Sequence, residues 1–300
     1  MSDTFNTIKQ LNLPRDEIVV MTKVYFPLGK TYGDNIIATG KKPDEVGLIN
    51  QHGLSRKVPF RLPQFSWNLR QHFPKHIFDS VKHSLERLQL DYIDVLQCHR
   101  FDYNTPIEET MQALHDVVQA GYVRYIGMSS CYAYQFHAMQ NYAISNKLTP
   151  FISMQNHYSL IYREEEREMY PTLKMFGVGS IPWSPLARGL LTRPLSAQST
   201  RGETDCVFNS SNRFIKNYQS DATTEIINRV EEIAKKRGIS MAQVAVAWCL
   251  SKEGVTAPIV GTTKLENLQD IIDALEVKLT DEEIKHLEDA YKTRAVLGHA

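Results

Sequence analysis

The sequence predicts one α/β domain built on a parallel sheet, and two observations support this prediction. Short apolar segments alternate along the chain with segments of amphipathic helical pattern, as parallel strands alternate with their helical crossovers. Each apolar segment also turns polar where it ends; the segments cover residues 18–23, 92–99, 123–130, 151–158, 178–185 and 257–263. Active sites of (β/α)8 barrels lie at the carboxyl ends of the strands. Because the chain has no GxGxxG, Walker or GxSxG sequence, these polar ends favour a barrel over a doubly wound sheet.

Composition narrows the class of protein. The 300-residue chain carries 34 Lys and Arg against 34 Asp and Glu, so we expect neither a nucleic-acid partner nor binding to an anionic membrane. No run of about 18 apolar residues is present, and the start, MSDTFNTIKQ, does not resemble a secretory signal. The four cysteines form no CxxC pair, which favours reduced thiols, no structural zinc and a cytoplasmic location.

Helical patterns fill the intervals between the predicted strands. Residues 76–88 have an apolar face at helical spacing. The next helix is predicted to begin with Thr105 as N-cap and Pro106 at its first position, and to end at Gly121. Further helical segments cover residues 166–177, 241–254 and 265–275.

Two strand ends carry unusual side chains. By the period-two alternation of a strand, Lys23 shares a face with Met21, and His99 shares a face with Gln97. Both side chains are therefore expected to point into the mouth of the barrel. Taken alone, a histidine such as His99 is more often a hydrogen-bonded structural residue than a site residue. A lysine that ends an apolar strand must be desolvated or paired, so the two residues together predict a site.

Long blocks of the sequence resemble the aldo-keto reductases. The blocks LDYIDVLQCHRFD, PIEETMQALHDVVQAGYVRYIGMSS, SMQNHYSLIYREEEREM, IPWSPLARGLL and VGTTKLENL are similar to that family, in the branch of aryl-alcohol dehydrogenase-like and potassium-channel β-subunit-like proteins. The resemblance runs from Ser2 to about Tyr291, apart from one insert. It implies a single (β/α)8 TIM barrel of the aldo-keto reductase type over residues 1–300. It also implies NADP(H) as cofactor and hydride transfer to a small-molecule carbonyl substrate, and leaves the oligomeric state open.

The resemblance implies two catalytic residues. Lys23 corresponds to the lysine that lowers the pKa of the family's catalytic tyrosine, and His99 to the histidine that orients the substrate carbonyl. Channel β subunits usually carry Asn at the position of His99, so a histidine favours the metabolic reductases.

The resemblance also assigns cofactor-binding residues, which all follow predicted strands. The nicotinamide carboxamide would meet Ser129, Ser130 and Gln155, and the nicotinamide ring would stack on Trp183. The pyrophosphate would lie along Ser184, Leu186, Arg188 and Gly189, with Arg201 assisting. The 2′-phosphate end would meet Gly261, Thr263, Lys264 and Asn267, and the adenine Asp270. A strand that opens into a helix N-terminus suits a phosphate on physical grounds as well. The long loop 186–221 is predicted to cover the cofactor.

Several of these residues have a purely structural alternative. Ser129 and Ser130 could begin the next helix, and Trp183 could be ordinary core packing. Thr263 and Glu266 form a capping-box pattern. Residues 163–166, an arginine and three glutamates, are predicted to be a solvated helix start and not a metal site.

The chain departs from the family at its start. The family's first two strands, the second with an Asp-Thr-Ala-x-x-Tyr pattern that supplies the catalytic Asp and Tyr, have no counterpart here. We therefore expect a barrel that lacks its first two strands and has two unpaired edges. The general acid would also be missing, which typically contributes about 10²- to 10⁴-fold in rate. Tyr25 is expected to project above the cofactor and not to replace the missing general acid.

Residues 58–75, VPFRLPQFSWNLRQHFPK, are a second departure. In the family Lys57 would run directly into His76. The segment could be a substrate-gating loop; our hypothesis is an intron read in frame, together with an internal start at Met1. Three functions stay open: an aldehyde or ketone reductase, an NADP(H)-binding regulatory subunit, and a truncated pseudoenzyme.

Overall fold

The computed structural model describes residues 7–27, 52–55, 76–197 and 220–299. Three predictions fall wholly or partly outside these ranges. They concern the 58–75 insert, Arg201, and residues 198–219 of the predicted cofactor-covering loop.

The chain divides into two compact units. The first comprises Met1–Ser153 with His299–Ala300, and the second comprises Met154–Gly298. Among the described residues, no helix combines the length and the apolar character needed to cross a bilayer.

The first unit is built on parallel strands that follow one another in the sheet in chain order. They are β1 (Met21–Val24), β2 (Ile93–Cys98), β3 (Val123–Ser129) and the start of β4 (Phe151–Gln155). Lys23 pairs with Gln97, and Gln97 pairs with Gly127, so the three residues lie on one face of the sheet. A Cβ atom at Gly127 would lie 2.5 Å from Ser153 Oγ, which explains why a glycine occupies this position.

Three helices cover the strands of the first unit: α1 (His76–Leu88), α2 (Ile107–Gln119) and α3 (Ala133–Ser145). The first two confirm predicted helices. The third had no clear apolar period because glutamines occupy part of its buried face. Gln140 is buried, accepts a hydrogen bond from the Phe151 amide at 2.8 Å and donates one to the Phe151 carbonyl at 3.0 Å. Helix α3 thus anchors the first residue of β4 through polar contacts.

The predicted N-cap of α2 is wrong. Pro106 holds the N-cap position, and Thr105 Oγ1 donates to Asp102 Oδ2 at 2.8 Å instead. The Thr105 hydroxyl, which the sequence pattern assigned to the helix, therefore binds the buried Asp102 carboxylate of the preceding loop. Gly121 has φ +78° just past the helix end, as predicted.

In its described residues, 154–197 and 220–298, the second unit contains the end of β4, a short β5 and five α-helices. They are β5 (Gly179–Ser180), α4 (Met169–Phe176), α5 (Asp221–Arg237), α6 (Met241–Leu250), α7 (Leu265–Asp273) and α8 (Asp281–Glu288). Helix α6 is buried over residues 241–249, as expected of a helix that is apolar on all sides.

The last predicted strand, 257–263, is reduced to isolated parallel bridges. Ser180 pairs with Val255, and Trp183 pairs with Ile259. Pro182 follows β5, and Pro258 lies in the segment that pairs with it. Neither proline has an amide hydrogen, so a continuous ladder cannot form there. The Ile259 amide still donates to the Pro182 carbonyl at 2.8 Å, which keeps the two segments side by side.

The acidic run 164–166 is not solvated as predicted. The side chain of Glu164 is only 5% exposed, and it accepts hydrogen bonds from Tyr291 Oη at 2.7 Å and from the Arg294 amide at 2.8 Å. Glu166 accepts both nitrogens of the Arg163 fork at 2.8 Å. These carboxylates hold the segment after α8 within the second unit. The physical reason is that buried carboxylates need partners, which the distant residues 291 and 294 provide.

Glu288 joins three donors from different parts of the second unit. It accepts Trp248 Nε1 at 2.9 Å, Lys252 Nζ at 2.5 Å and Arg163 Nη2 at 3.1 Å. Its side chain is 20% exposed, so water replaces these partners poorly.

We expect Glu288→Ala to lower the free energy of unfolding by about 2 kcal/mol, because it removes the acceptor of the Trp248 indole N–H and of the Lys252 ammonium group, whereas Arg163 keeps Glu166. Urea denaturation followed by circular dichroism measures this change. Glu253→Ala is the matched control: the Lys174–Glu253 pair is 72% and 81% exposed, and its loss should leave the free energy of unfolding nearly unchanged. Equal effects of the two substitutions would contradict the assignment.

Candidate functional site

Lys23 and His99 are brought together at the ends of β1 and β2. The Val24 carbonyl accepts a hydrogen bond from the His99 amide at 2.9 Å, so the parallel ladder continues one residue past β2. His99 is half-buried, whereas Lys23, which the sequence predicted to be either desolvated or paired, is exposed. The reason is that β1 lies at the end of the strand order and has one strand neighbour, β2, in the described ranges.

The charges around His99 favour its neutral form. Burial, together with the positive charges of Arg100 and Lys23, lowers the pKa of His99 to about 4. Although much of the Lys23 residue is exposed, partial desolvation of its ammonium group and then the positive charge of Arg100 lower the pKa of Lys23 as well. His99 is therefore a neutral imidazole at pH 7, next to two cationic side chains, and can donate only one ring N–H at a time.

Aromatic rings line one side of His99. The Phe26 ring meets the His99 ring edge-on at 4.9 Å, and the Tyr25 ring meets Phe26 at 4.9 Å. Burial raises the pKa of Tyr25, with a further contribution from Asp102. Tyr25 therefore keeps its proton at neutral pH and is a weak acid.

Asp102 organises the loop that follows β2. Its carboxylate accepts the Leu54 amide at 2.7 Å and the Asn104 amide at 2.9 Å, besides the Thr105 hydroxyl. Gly53 lies so close that a Cβ atom would be 2.6 Å from Asp102 Oδ2, and its φ of +98° also requires glycine. The Gly53 amide donates to the Tyr25 carbonyl at 2.8 Å, so Asp102 ties the segment 52–55 to the end of β1.

Ser129 and Ser130 end β3 in a buried position. Both are at most 1% exposed, and Ser130 has φ +30°, which is uncommon for a residue other than glycine. A left-handed residue at this point turns the chain sharply after the strand. The structure therefore places both hydroxyls below the surface, before α3 begins at Ala133.

In the second unit, Gln155 and Asn156 form the polar end of β4. Gln155 is 5% exposed and Asn156 is fully buried. Ser180 Oγ donates to Asn156 Oδ1 at 2.6 Å, which links β4 to β5. Gln155 and Asn156 lie at the polar end predicted for the segment 151–158, but the resemblance assigned a cofactor role only to Gln155, and none to Asn156 or Ser180.

The loop after β5 has an unusual backbone. Ser184, Ala187 and Arg188 have φ values of +58°, +48° and +59°, followed by Gly189 at +99°. Several left-handed residues other than glycine in one short loop store strain, which is typical of functional sites. Turns of alternating hand also make concave sets of N–H groups that bind anions. The guanidinium of Arg188 lies 5.7 Å from the centre of the Trp183 ring.

Trp183 is neither an isolated ring nor ordinary core packing. It is half-buried, and its ring stacks on His157 at 4.1 Å with an interplanar angle of 8°. The sequence predicts no role for His157, because the pattern QNHY does not show which ring the imidazole contacts.

The residues assigned to the 2′-phosphate lie at the open start of α7. All four are exposed: Gly261, Thr263, Lys264 and Asn267. The capping-box alternative for Thr263 and Glu266 is wrong, because Lys264 holds the N-cap position without a side-chain cap, and Thr262 Oγ1 accepts the Lys264 amide at 3.2 Å. Asp270, assigned to the adenine, accepts Ser240 Oγ at 2.7 Å.

Each unit contains polar groups that suit one part of a dinucleotide. The second unit offers a cation, a hydroxyl and an amide at the exposed N-terminus of a helix, which suits a phosphate. It also has the strained loop 184–189, which includes Arg188. The first unit offers buried hydroxyls at the end of β3. No group of three or more His, Cys, Asp or Glu side chains in the described ranges is arranged to hold a metal ion.

The chain belongs to the aldo/keto reductase family, whose profile matches residues 6–292. It is 45% identical over 290 residues to a Schizosaccharomyces pombe protein provisionally named aryl-alcohol dehydrogenase, covering 95% of this chain and 75% of that protein. It is 44% identical over 291 residues to versiconal hemiacetal acetate reductase of Aspergillus parasiticus, covering 96% of this chain and 78% of that enzyme. An aldo-keto reductase of Fusarium vanettenii is 42% identical over 294 residues, 98% of this chain and 74% of that protein.

These matches confirm the predicted family and its aryl-alcohol dehydrogenase-like branch. They also confirm the α/β fold class with a parallel sheet, of the (β/α)8-barrel type. The family and the reductase names of its relatives support an oxidoreductase that uses a nicotinamide nucleotide and acts on small-molecule carbonyl compounds.

A buried histidine next to this site gives a prediction for pH. Burial, with a smaller contribution from His52 and against the opposing charge of Asp102, lowers the pKa of His76 to about 4. Because an unfolded histidine has a pKa of about 6.5, the unfolded state takes up a proton first as the pH falls. The contribution of His76 to stability is therefore complete above pH 6.5 and is lost between about pH 6.5 and 4.

Urea unfolding at pH 7, 6 and 5 should show this loss, with a slope of at most about 1.4 kcal/mol per pH unit for one histidine. His76→Phe should reduce the slope. His83→Asn, on the exposed side of the same helix α1, should leave it unchanged. The same slope in wild type and His76→Phe would refute this account.

Proposed function

We propose that this chain reduces aryl or other small aldehydes and ketones to alcohols with NADPH. The observation that carries this proposal is the neutral His99 beside Lys23 at the carboxyl ends of two parallel strands. When bound, the nicotinamide supplies the hydride to the carbonyl carbon. Everything else in the step falls to the side chains around the carbonyl oxygen.

His99 is suited to hold that oxygen. A neutral imidazole donates one hydrogen bond to the carbonyl and fixes its direction. Phe26, edge-on to His99 at 4.9 Å, provides an apolar wall that fits an aryl group. The positive charges of Lys23 and Arg100 favour the negative charge that develops on the oxygen as hydride arrives.

The alkoxide oxygen then takes a proton from water, which reaches it because the strand face that carries Lys23 is exposed. The resemblance implies that other family members supply this proton from a tyrosine. The Asp-Thr-Ala-x-x-Tyr pattern that contains this tyrosine has no counterpart in these 300 residues. Tyr25 is the hydroxyl on the same strand end, but its raised pKa makes it a poor donor. We therefore propose that Tyr25 shapes the wall beside His99 and does not act as the acid.

NADP(H) binding without turnover is a second candidate, and the exposure of β1 favours it. Val19 and Met21, on the same strand face as Lys23, are 70% and 40% exposed. Water that reaches this face weakens every charge interaction at the oxygen. A regulatory subunit or a pseudoenzyme would keep the phosphate contacts and lose the chemistry.

Turnover and binding separate the two candidates. NADPH consumption with an aryl aldehyde should be measurable for the purified chain, and binding is followed by NADPH fluorescence. His99→Gln and Lys23→Met should each lower kcat/KM about 10²-fold or more, with the NADPH dissociation constant changed less than about threefold. Lys82→Met, an exposed lysine on α1, is the control, and Tyr25→Phe should keep most of the activity. NADPH binding with no turnover by wild type would establish the second candidate instead.

Cofactor choice gives a separate prediction. Lys264→Ala should weaken NADPH binding about tenfold and leave NADH binding nearly unchanged, because only NADPH carries a 2′-phosphate for the ammonium group. Lys278→Ala, another exposed lysine of the second unit, should affect neither. Equal loss for both nucleotides in Lys264→Ala would argue against this assignment.

A further inference from the structure

We infer that His157 is a positioning residue that sets the plane of the Trp183 ring, and that the segment after α8 holds His157 in place through Tyr162. This inference rests on the proposed function in one respect, namely that Trp183 faces the nicotinamide. The stack itself is a property of the second unit alone.

The three rings form one continuous stack. His157 lies between Trp183, at 4.1 Å and 8°, and Tyr162, at 4.2 Å and 13°. His157 and Tyr162 are fully buried, whereas Trp183 is half-buried. The stack therefore has a rigid, dry base and one partly accessible end, and a flat ligand ring can extend it only at the Trp183 end.

The backbone sets the register of the stack. The Trp183 amide donates to the Asn156 carbonyl at 2.8 Å, and the Trp183 carbonyl accepts the Tyr158 amide at 3.4 Å. His157 lies between these two contacts and pairs with Trp183 as a parallel bridge. Residues paired in this way project to the same face, so the two rings are neighbours by construction.

Tyr162 is fixed behind His157 by two contacts. A tight turn joins it to Ser159, with backbone hydrogen bonds of 3.1 and 2.9 Å in the two directions. The Tyr162 hydroxyl accepts the Leu297 amide at 3.0 Å. The same segment is held by Glu164, which accepts the Arg294 amide at 2.8 Å. The segment after α8 is thus connected to the indole through the Tyr162 and His157 rings.

This arrangement has a consequence for binding. An indole that is free to rotate must be immobilised when a ligand ring stacks on it, and that ordering weakens affinity. An indole held by His157 is already oriented. Each aromatic pair contributes enough to change binding about threefold to tenfold.

Two matched variants test the role of His157. His157→Leu removes the flat ring and keeps a buried apolar side chain, whereas His157→Phe keeps a ring of similar shape. Tyr162→Phe keeps the stack and removes only the hydroxyl that accepts the Leu297 amide. Thermal unfolding by circular dichroism confirms that each variant is folded before it is compared.

The first readout needs no cofactor. In protein labelled with 5-fluorotryptophan, the ¹⁹F resonance of Trp183 is identified by its loss in Trp183→Phe. We expect this resonance to shift or broaden in His157→Leu, to stay close to wild type in His157→Phe, and to change partly in Tyr162→Phe. An unchanged Trp183 resonance in His157→Leu would overturn the inference, whatever the protein binds.

The second readout is the NADPH dissociation constant. His157→Leu should raise it about threefold to tenfold, and His157→Phe should restore it. If wild type does not bind NADPH, the proposed function fails and the cofactor part of this inference fails with it. A changed ¹⁹F resonance in His157→Leu would then still support the stack.

Discussion

The hydrogen-bond register of the parallel strands in the first unit decides where its reactive groups lie. Lys23, Gln97 and Gly127 are opposite one another, so one face of the sheet receives all three, and the strand ends above them receive His99 and Ser129. A shift of one residue in any strand would send its side chains to the other face. The close approach of Ser153 to Gly127 restricts such a shift, because only a residue without Cβ fits there.

The electrostatics of this site follow from that register. Three basic groups, His99, Arg100 and Lys23, are held close together, and burial makes a charge on His99 unfavourable. The result is a neutral imidazole beside two cations, which combines a directed hydrogen-bond donor with a positive field. A carboxylate next to His99 would reverse this by favouring the imidazolium. Asp102 is instead engaged by two amides and a hydroxyl, where it shapes the loop.

The second unit uses buried polar and aromatic contacts where its sheet is weak. Prolines interrupt the ladder between β5 and the segment around Ile259. Compensation comes from contacts that are distant in sequence: Glu288 with Trp248, Lys252 and Arg163, and Tyr162 with Leu297. These contacts converge on the stretch that leads from β4 to β5. The ring stack of Trp183 and the strained loop 184–189 are thereby placed on a rigid support, as a binding site requires.

The sequence alone determined the α/β class, the family, most strands and helices, and the presence of polar side chains at the strand ends, because these follow from local periodicity and from long blocks of residues. It did not determine which polar groups are buried. Glu164 looked solvated but is held by Tyr291 and Arg294, and Thr105 looked like a helix cap but binds Asp102. Only the tertiary structure decided these partners. Glu164 meets residues more than a hundred positions away, and Asp102, three residues before Thr105, is buried in a loop whose fold also brings in Leu54. It also decided the exposure of Lys23, which depends on how many strands flank β1, and the stack of His157 on Trp183, which depends on the pairing of two separate strands.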